Sequence, residues 1–490
     1  MQQSEFSGDT LPDDALTAQI SETLLSGDSP PSTVAFRLTG GTRDEVFHYI
    51  AAPHLVAKYL SDPHNNLGLQ HYDHALNPLP GPVNLLLGEE HGQKISWNIL
   101  ARALAAEPAQ SRLDANDIET MARKAAAKVI GEIKKNGSKN FNLMRDYGYL
   151  VPFMCAQTFT GAMPVSRASL GLRMFKTARN LVMRKHGRAG RLTLTDNNRS
   201  ANEYLLWAHL MFGQIFANYG ARNKVITAAS SYASKRFSAR MAETLGDVDS
   251  RAASDEAPNL AQRLVAAAPY FVKSGNGMTQ SEYNHACKCI LLEITASFHI
   301  LVGISFGRIL DVISQSGVSP AEYARALSAP GGERLLDRAL AGKATTAMLY
   351  RTARRAFPEI GVKDGDIICF LVARAAKETC PAAILPKDFL LNLNSPAAEG
   401  SFLTFGPNEA CPYHLSENAE RVMAEPDAPQ IAHPCFGQFW ARAILKQMFV
   451  TLTDPELGWP DIHAVAGETA RVSEFAKIPD TFIVTTKSGG

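Results

Sequence analysis

The longest apolar stretch of the chain, residues 281–317, constrains the fold more than any other feature. Its middle is apolar almost all the way round a helix, which is the pattern of a helix buried on every side. Polar side chains interrupt it too often for a membrane span, namely Glu293, Thr295, Ser297 and His299. We therefore expect a long helix that runs through the core of a globular domain.

Shorter patterns indicate a mainly α chain with a small β component. Segment 114–136 has an acidic start, apolar residues at helical spacing and a basic end, and segment 202–220 is a second helix closed by Gly220. Strand-like runs are few and short, at 32–40, 365–373 and 481–487. The pattern predicts one mostly helical domain with a minor sheet.

Composition limits the class of protein. The chain has 490 residues, of which 46% are hydrophobic, and this allows a large core. Its formal charge of +1 lacks the excess of positive charge that is typical of proteins that bind nucleic acid. Seven cysteines do not suggest a disulfide scaffold. The polar, acidic start holds no signal peptide or transmembrane anchor. We expect a soluble, cytoplasmic protein with a mobile tail over residues 1–30 and a single large domain over residues 31–490.

Cys435 stands immediately before a predicted amphipathic helix. The positive end of a helix dipole and its free backbone N–H groups stabilise a thiolate, which suits a nucleophile or a metal ligand. Gly437 allows the backbone to approach a flat, bulky group, and His433 can donate to an anionic group beside it. A sulfur, a bare backbone and a donor together fit a haem held by one axial thiolate.

The same stretch resembles a known family. His433-Pro-Cys435-Phe-Gly437, followed by Ala441-Arg442, is similar to the His-x-Cys-x-Gly…Ala-Arg haem-binding loop of the cytochrome P-450 family. The family's Phe-Gly lead-in normally runs straight into the cysteine, whereas here it stands about two dozen residues before His433. Cys411 follows that lead-in and is a rival ligand, but it lacks a glycine two residues later and a helix behind it.

Three further segments follow in the family's order, so that the resemblance covers roughly residues 31–450. Segment 88–97 is similar to the helix-C region, segment 349–376 to the region after helix K, and segment 281–317 to helix I. The resemblance implies a cytochrome P-450-like fold and a haem b cofactor with Cys435 as its metal ligand. It implies, as haem-binding residues, His91, Lys94, Trp97, Arg351, His433, Gly437 and Arg442.

Two motifs of the family are incomplete. The Glu-x-x-Arg pair of helix K has no strict counterpart, and the candidates from which it could be built are Glu333, Asp337, Arg338 and Lys343. Helix I should also carry an acid followed directly by an alcohol, which relay protons to bound dioxygen.

In the motif the alcohol follows the acid directly, but here Ile294 stands between Glu293 and Thr295, so the alcohol is displaced by one position. One position along a helix turns a side chain by about 100° around the axis. A second alignment at Gly303 supplies the glycine of the motif but no acid. We expect Glu293, Thr295 and His299 to line the distal side of the haem as the catalytic residues, in one alignment or the other.

The broken relay favours a substrate that already contains an O–O bond. Segments 144–152 and 205–218 resemble the cytochrome P-450 domains fused to fatty-acid dioxygenases, which isomerise lipid hydroperoxides. We expect an oxidoreductase that rearranges or oxidises an apolar, fatty-acid-like substrate. The alternatives are a conventional monooxygenase that takes electrons from an external ferredoxin system, and a non-catalytic haem-binding member of the family.

Overall fold

The computed structural model describes the chain in the following ranges: 3–7, 33–39, 45–60, 66–68, 90–104, 115–135, 140–163, 203–208, 210, 224–248, 259–272, 277–342, 349–372, 375, 387–391, 437–464, 471–472 and 479–486. Helices dominate these ranges and strands are short, which confirms the predicted fold class. The helices are α1 (Pro53–Leu60), α2 (Glu90–Leu104), α3 (Ala115–Lys135), α4 (Leu150–Thr160), α5 (Lys224–Gly246), α6 (Leu260–Phe271), α7 (Gln280–Ser297), α8 (Gly303–Gln315), α9 (Pro320–Leu327), α10 (Arg334–Gly342), α11 (Lys387–Leu391) and α12 (Gln438–Leu452).

The strands form three small sheets. They are β1 (Gln3–Ser7), β2 (Thr33–Thr39), β3 (Glu45–Ile50), β4 (Leu67–Gly68), β5 (Asn140–Asn142), β6 (Leu349–Ala353), β7 (Ile367–Phe370), β8 (His463–Ala464), β9 (Arg471–Val472), β10 (Pro479–Thr481) and β11 (Ile483–Thr485). The largest sheet has the order β1-β2-β3-β7-β6-β4, and the others are β5-β11-β8 and β10-β9. Because β3 pairs in parallel with β7, the largest sheet joins the two halves of the chain.

The predicted core helix is continuous through α7, a π-helical segment at Phe298–Val302 and α8. It starts at a capping box, in which the Thr279 hydroxyl accepts from the Glu282 N–H and the Glu282 side chain accepts from the Thr279 N–H. It is also the one described helix that is long and apolar enough to cross a membrane. Since 89% of that apolar stretch is buried inside the protein, we assign it to the core.

Aromatic side chains lock the core helix to its neighbours. The ring of Phe306 lies 4.7 Å from that of Phe449 on α12 and 5.7 Å from that of Tyr147. The Tyr147 hydroxyl donates to the backbone carbonyl of Met448 at 2.6 Å. A second π-helical segment, Met144–Gly148, precedes α4 and supplies this tyrosine. The centre of the domain is therefore a bundle of α3, α4, the core helix and α12.

Most sequence-predicted elements lie where they were expected. Segment 114–136 is α3, and the three strand predictions coincide with β2, β7 and β11. Of segment 202–220, residues 203–208 and 210 are helical and the others lie outside the described residues.

Within the segment predicted as a mobile tail, residues 1–30, Gln3–Ser7 form β1 and pair in parallel with β2. A strand at a sheet edge presents unpaired N–H and C=O groups, and this segment satisfies them along β2.

Candidate functional site

The site is built around the start of α12. Gly437 caps this helix with φ −83°, a value that any residue adopts. No described heavy atom lies within 4 Å of the position that a Cβ on Gly437 would take, so the backbone borders open space here. Cys435, His433 and the rival Cys411 lie outside the described residues.

The first turn of α12 is held on one side by Trp440. This indole is fully buried, and its ring lies 4.6 Å from Phe159 on α4 and 5.3 Å from Phe298 in the π-helical segment of the core helix. Aromatic pairs at such separations add to the free energy gained by burying the rings. The helix that follows the cysteine loop is therefore fixed against the core helix.

Arg442 holds the same part of α12 on the other side. Its Nε and Nη2 donate to Asp337 Oδ1 at 3.1 and 3.0 Å, and Nη2 also donates to Oδ2 at 3.0 Å. Burial raises the pKa of the Asp337 carboxyl from 3.8 to about 6, although Arg442 beside it acts in the opposite direction. Arg442 was predicted to bind haem, and this stays a prediction; the contact that the structure gives its guanidinium is the carboxylate of Asp337 on α10.

Asp337 is also the member of the incomplete helix-K motif that makes an ion pair with α12. Glu333 is exposed at the start of α10, and Lys343 lies outside the described residues. Arg338 is buried on α10, close to Tyr323 of α9. Asp337 thus pairs with an arginine 105 positions away in the sequence, whereas the family motif pairs the acid with an arginine three positions along the same helix.

Two of the predicted haem-binding side chains are buried. Trp97 lies on α2, and Arg351, which is 6% exposed, lies on β6 and donates from Nη1 to the Tyr350 carbonyl at 2.7 Å. A buried guanidinium requires acceptors or anions around it, since the desolvation of its charge is unfavourable. The backbones of His91 and Lys94 belong to α2, and their side chains lie outside the described residues.

The three predicted catalytic residues do not share one face of the core helix. The Thr295 hydroxyl donates to the Thr160 hydroxyl of α4 at 3.2 Å. The His299 ring lies 5.1 Å from Phe153 and 6.4 Å from Tyr149, so it too faces α4 and the residue before it. Glu293 is turned about 200° away from Thr295. Thr295 and His299 therefore contact α4 and Tyr149, whereas Glu293 points to another face of the core helix, and the catalytic roles of the three stay predictions.

The face that carries Glu293 has a different environment. Ser297 and Leu301 follow it at four-residue spacing, and they are the two residues between 289 and 307 that are not buried. Within the described part of the chain, Ser297 Oγ has no hydrogen-bond partner. Glu293 itself is 6% exposed. This face of the core helix therefore carries a buried carboxyl and a buried hydroxyl oxygen, and Ser297 and Leu301 keep partial exposure through their other atoms.

The alternative alignment at Gly303 is excluded by packing. A Cβ on Gly303 would lie 2.3 Å from Tyr149 Cδ1, so the glycine allows close contact with that ring. The Ser305 hydroxyl donates to the Leu301 carbonyl at 2.7 Å. Gly303 therefore serves the interface with the Tyr149 segment rather than a site on the opposite face.

The comparisons with known proteins give a fold. No family model and no curated protein matches this chain. Among solved structures, CalO2 matches at 11% identity over 97% of this chain and 97% of its own, with a TM-score of 0.60.

P450BioI, solved in complex with an acyl carrier protein ligated to hexadec-9Z-enoic acid, matches at 13% identity over 92% of this chain and 95% of its own, with a TM-score of 0.58. PksS, a cytochrome P450 of the bacillaene polyketide synthase of Bacillus subtilis 168, has the same TM-score at 14% identity, over 93% of this chain and 94% of its own.

The chain has the cytochrome P-450 fold. This confirms the predicted fold.

The described residues fit a haem. The backbone at Gly437 borders open space, Ser297 and Leu301 of the core helix are partly exposed, and Arg351 supplies a buried cation. Sequence reasoning noted Ser297 but did not group it with Glu293. The four-residue spacing of the two residues could have shown that they share a helix face.

Proposed function

We propose that this protein is a haem-thiolate oxidoreductase of cytochrome P-450 type that rearranges an apolar, fatty-acid-like hydroperoxide. Haem b would be held by Cys435 as the axial ligand, with His433, His91, Lys94, Trp97 and Arg351 around its propionates. The stripe of Glu293, Ser297 and Leu301 on the core helix is the observation that carries the proposal. It puts a carboxyl, a hydroxyl and an apolar side chain along one helix face, on which Ser297 and Leu301 are partly exposed.

Bound haem would supply a thiolate-ligated iron, whose electron-rich sulfur favours cleavage of an O–O bond. The chain's part is to place the substrate and a proton. We infer that Ser297 Oγ donates to a hydroperoxide oxygen and that Glu293, one helical turn earlier, exchanges a proton with that hydroxyl. Leu301, the next residue of the stripe, would contact the hydrocarbon part of the substrate.

The position of Thr295 favours a hydroperoxide over dioxygen. Its hydroxyl is bonded to Thr160 on the far face of the helix, so the alcohol closest to Glu293 in the sequence does not reach the stripe. An isomerisation keeps both peroxide oxygen atoms in the product and requires no external electrons. The complex of P450BioI with a fatty acyl carrier protein supports the view that this fold accommodates a long acyl chain.

The test is turnover of an unsaturated fatty-acid hydroperoxide by haem-loaded protein, without reductant or redox partner, with the products identified by mass spectrometry. We expect conversion to an isomer, a diol or an epoxyalcohol, and a loss of at least tenfold in the rate for Ser297→Ala. Thr295→Val is the matched control and should keep the rate within about twofold.

Two outcomes would replace the hydroperoxide proposal. Haem-loaded protein that leaves hydroperoxides unchanged but oxidises an apolar substrate with ferredoxin, its reductase and NADPH would be a conventional monooxygenase. Stable haem binding without turnover in either assay would identify a non-catalytic haem protein. We propose a soluble, cytoplasmic protein that acts on a small apolar or lipid substrate.

A further inference from the structure

The ion pair between Asp337 and Arg442 is a largely buried contact between α10 and α12. The two side chains retain 14% and 17% of their exposure, and three hydrogen bonds join them. A guanidinium that contacts both oxygens of a carboxylate is held in one plane and one direction, unlike a single point contact. The pair therefore fixes an orientation as well as a distance.

The position of Arg442 gives this orientation its importance. It lies five residues after Gly437, which is about 7.5 Å along a helix axis. Trp440 lies two residues before it and therefore points about 200° away. The first turns of α12 are thus in contact on nearly opposite sides: Trp440 packs against aromatic rings of α4 and the core helix, and Arg442 binds a carboxylate of α10.

The environment of the pair argues against a role in stability alone. Burying two charges removes their hydration, and a well-packed apolar pair at such a place is often as stable or more so. The raised pKa of Asp337 shows that burial outweighs the attraction of Arg442 for this carboxylate.

We propose that Asp337 and Arg442 are positioning residues, which fix the rotation of α12 and thereby aim the loop that carries Cys435. The proposal rests on the proposed function only for the identity of the loop's ligand. The ion pair does not contact the reacting atoms. It sets the direction in which the chain enters α12, and this direction determines where the preceding residues lie.

The matched control is a second ion pair on the same helix. Lys446 Nζ donates to Glu119 Oε1 at 2.9 Å, and Gln447 Nε2 donates to Glu119 Oε2 at 2.8 Å. This contact joins α12 to α3 one turn beyond Arg442. It has the same kind of partners, but it lies further from the cysteine loop.

The experiment compares Asp337→Asn, the double variant Asp337→Leu/Arg442→Met and the control Glu119→Gln. Hydrogen exchange of the haem-free proteins is measured for residues 437–442 and for residues 446–452. We expect at least tenfold faster exchange of the first group in both Asp337 variants, with the second group unchanged. Glu119→Gln should leave the first group as in the wild type. Unchanged exchange in the Asp337 variants would overturn the proposal whether or not the protein binds haem.

Haem-loaded proteins provide the second measurement. We expect the double variant to unfold at the wild-type temperature or above it, yet to release haem at least tenfold faster and to lose part of the thiolate signature in the absorption spectrum. Asp337→Glu should restore both properties. A double variant with wild-type haem release and spectrum would refute positioning. Wild-type protein without a thiolate signature would instead refute the proposed function and leave the exchange result to decide the role of the ion pair.

Discussion

The charge of Asp337 should make the stability of this protein depend on pH in an unusual direction. Most paired carboxylates have a lowered pKa and stabilise the folded state as the pH rises. Here burial raises the pKa from 3.8 to about 6. The folded state therefore binds the proton of this carboxyl more tightly than the unfolded state does. Its contribution to stability is full below about pH 4 and is lost as the pH rises through about 6.

The magnitude follows from the same values. A difference between 3.8 and about 6 corresponds to about 3 kcal/mol of unfolding free energy. Asp337→Asn removes the titration and keeps the shape of the side chain. We expect the stability of the wild type relative to this variant to fall by about 2 kcal/mol between pH 4 and pH 7, with most of the change between pH 4 and pH 6.

Urea unfolding of the two haem-free proteins across this pH range measures the difference directly. Other groups that titrate in both proteins cancel when one unfolding free energy is subtracted from the other. A difference that rises with pH would show that Arg442 lowers the pKa of Asp337 below its usual value, and the reasoning about its burial would be refuted. A difference that does not change with pH would refute it as well.

Three further substitutions test single contacts. Gly437→Ala should change the unfolding free energy of the haem-free protein by less than about 1 kcal/mol, because no described atom occupies the space of the new methyl group. The same variant should bind haem at least tenfold more weakly in a spectral titration. Haem affinity equal to that of the wild type would contradict the close approach of haem to Gly437. Gly303→Ala should destabilise the protein by about 1–3 kcal/mol in thermal or urea unfolding, because its Cβ would lie 2.3 Å from the Tyr149 ring, and wild-type stability would contradict this packing. Thr295→Val should cost about 1 kcal/mol, through the lost hydrogen bond to Thr160, and a larger loss of hydroperoxide turnover than of stability would return Thr295 to the distal side.

The general form of this protein could be predicted because it is determined by local patterns. The middle of segment 281–317 is apolar almost all the way round, and in a globular domain such a helix is buried in the core. The start and end of α3 follow from Asp117 in its first turn and from Lys134 and Lys135 in its last, which match the helix dipole. These sequence patterns lie within single helices, so they can be recognised without knowledge of the rest of the fold.

The details of the site depend on contacts between distant segments, which no local pattern contains. The direction of Thr295 is set by Thr160 on α4, and the close approach at Gly303 is set by Tyr149. Arg442 followed a family motif in the sequence, but Asp337 on α10 determines what it binds. The face that remains for Glu293 and Ser297 could be identified only after the opposite face had been assigned to α4.

The most direct test of the central claim is the absorption spectrum of the haem-loaded, reduced, carbon monoxide-bound protein and of two cysteine variants. The account predicts a thiolate signature in the wild type and in Cys411→Ser, and its complete loss in Cys435→Ser. A signature that survives in Cys435→Ser and disappears in Cys411→Ser would move the ligand to Cys411 and contradict the site built around α12.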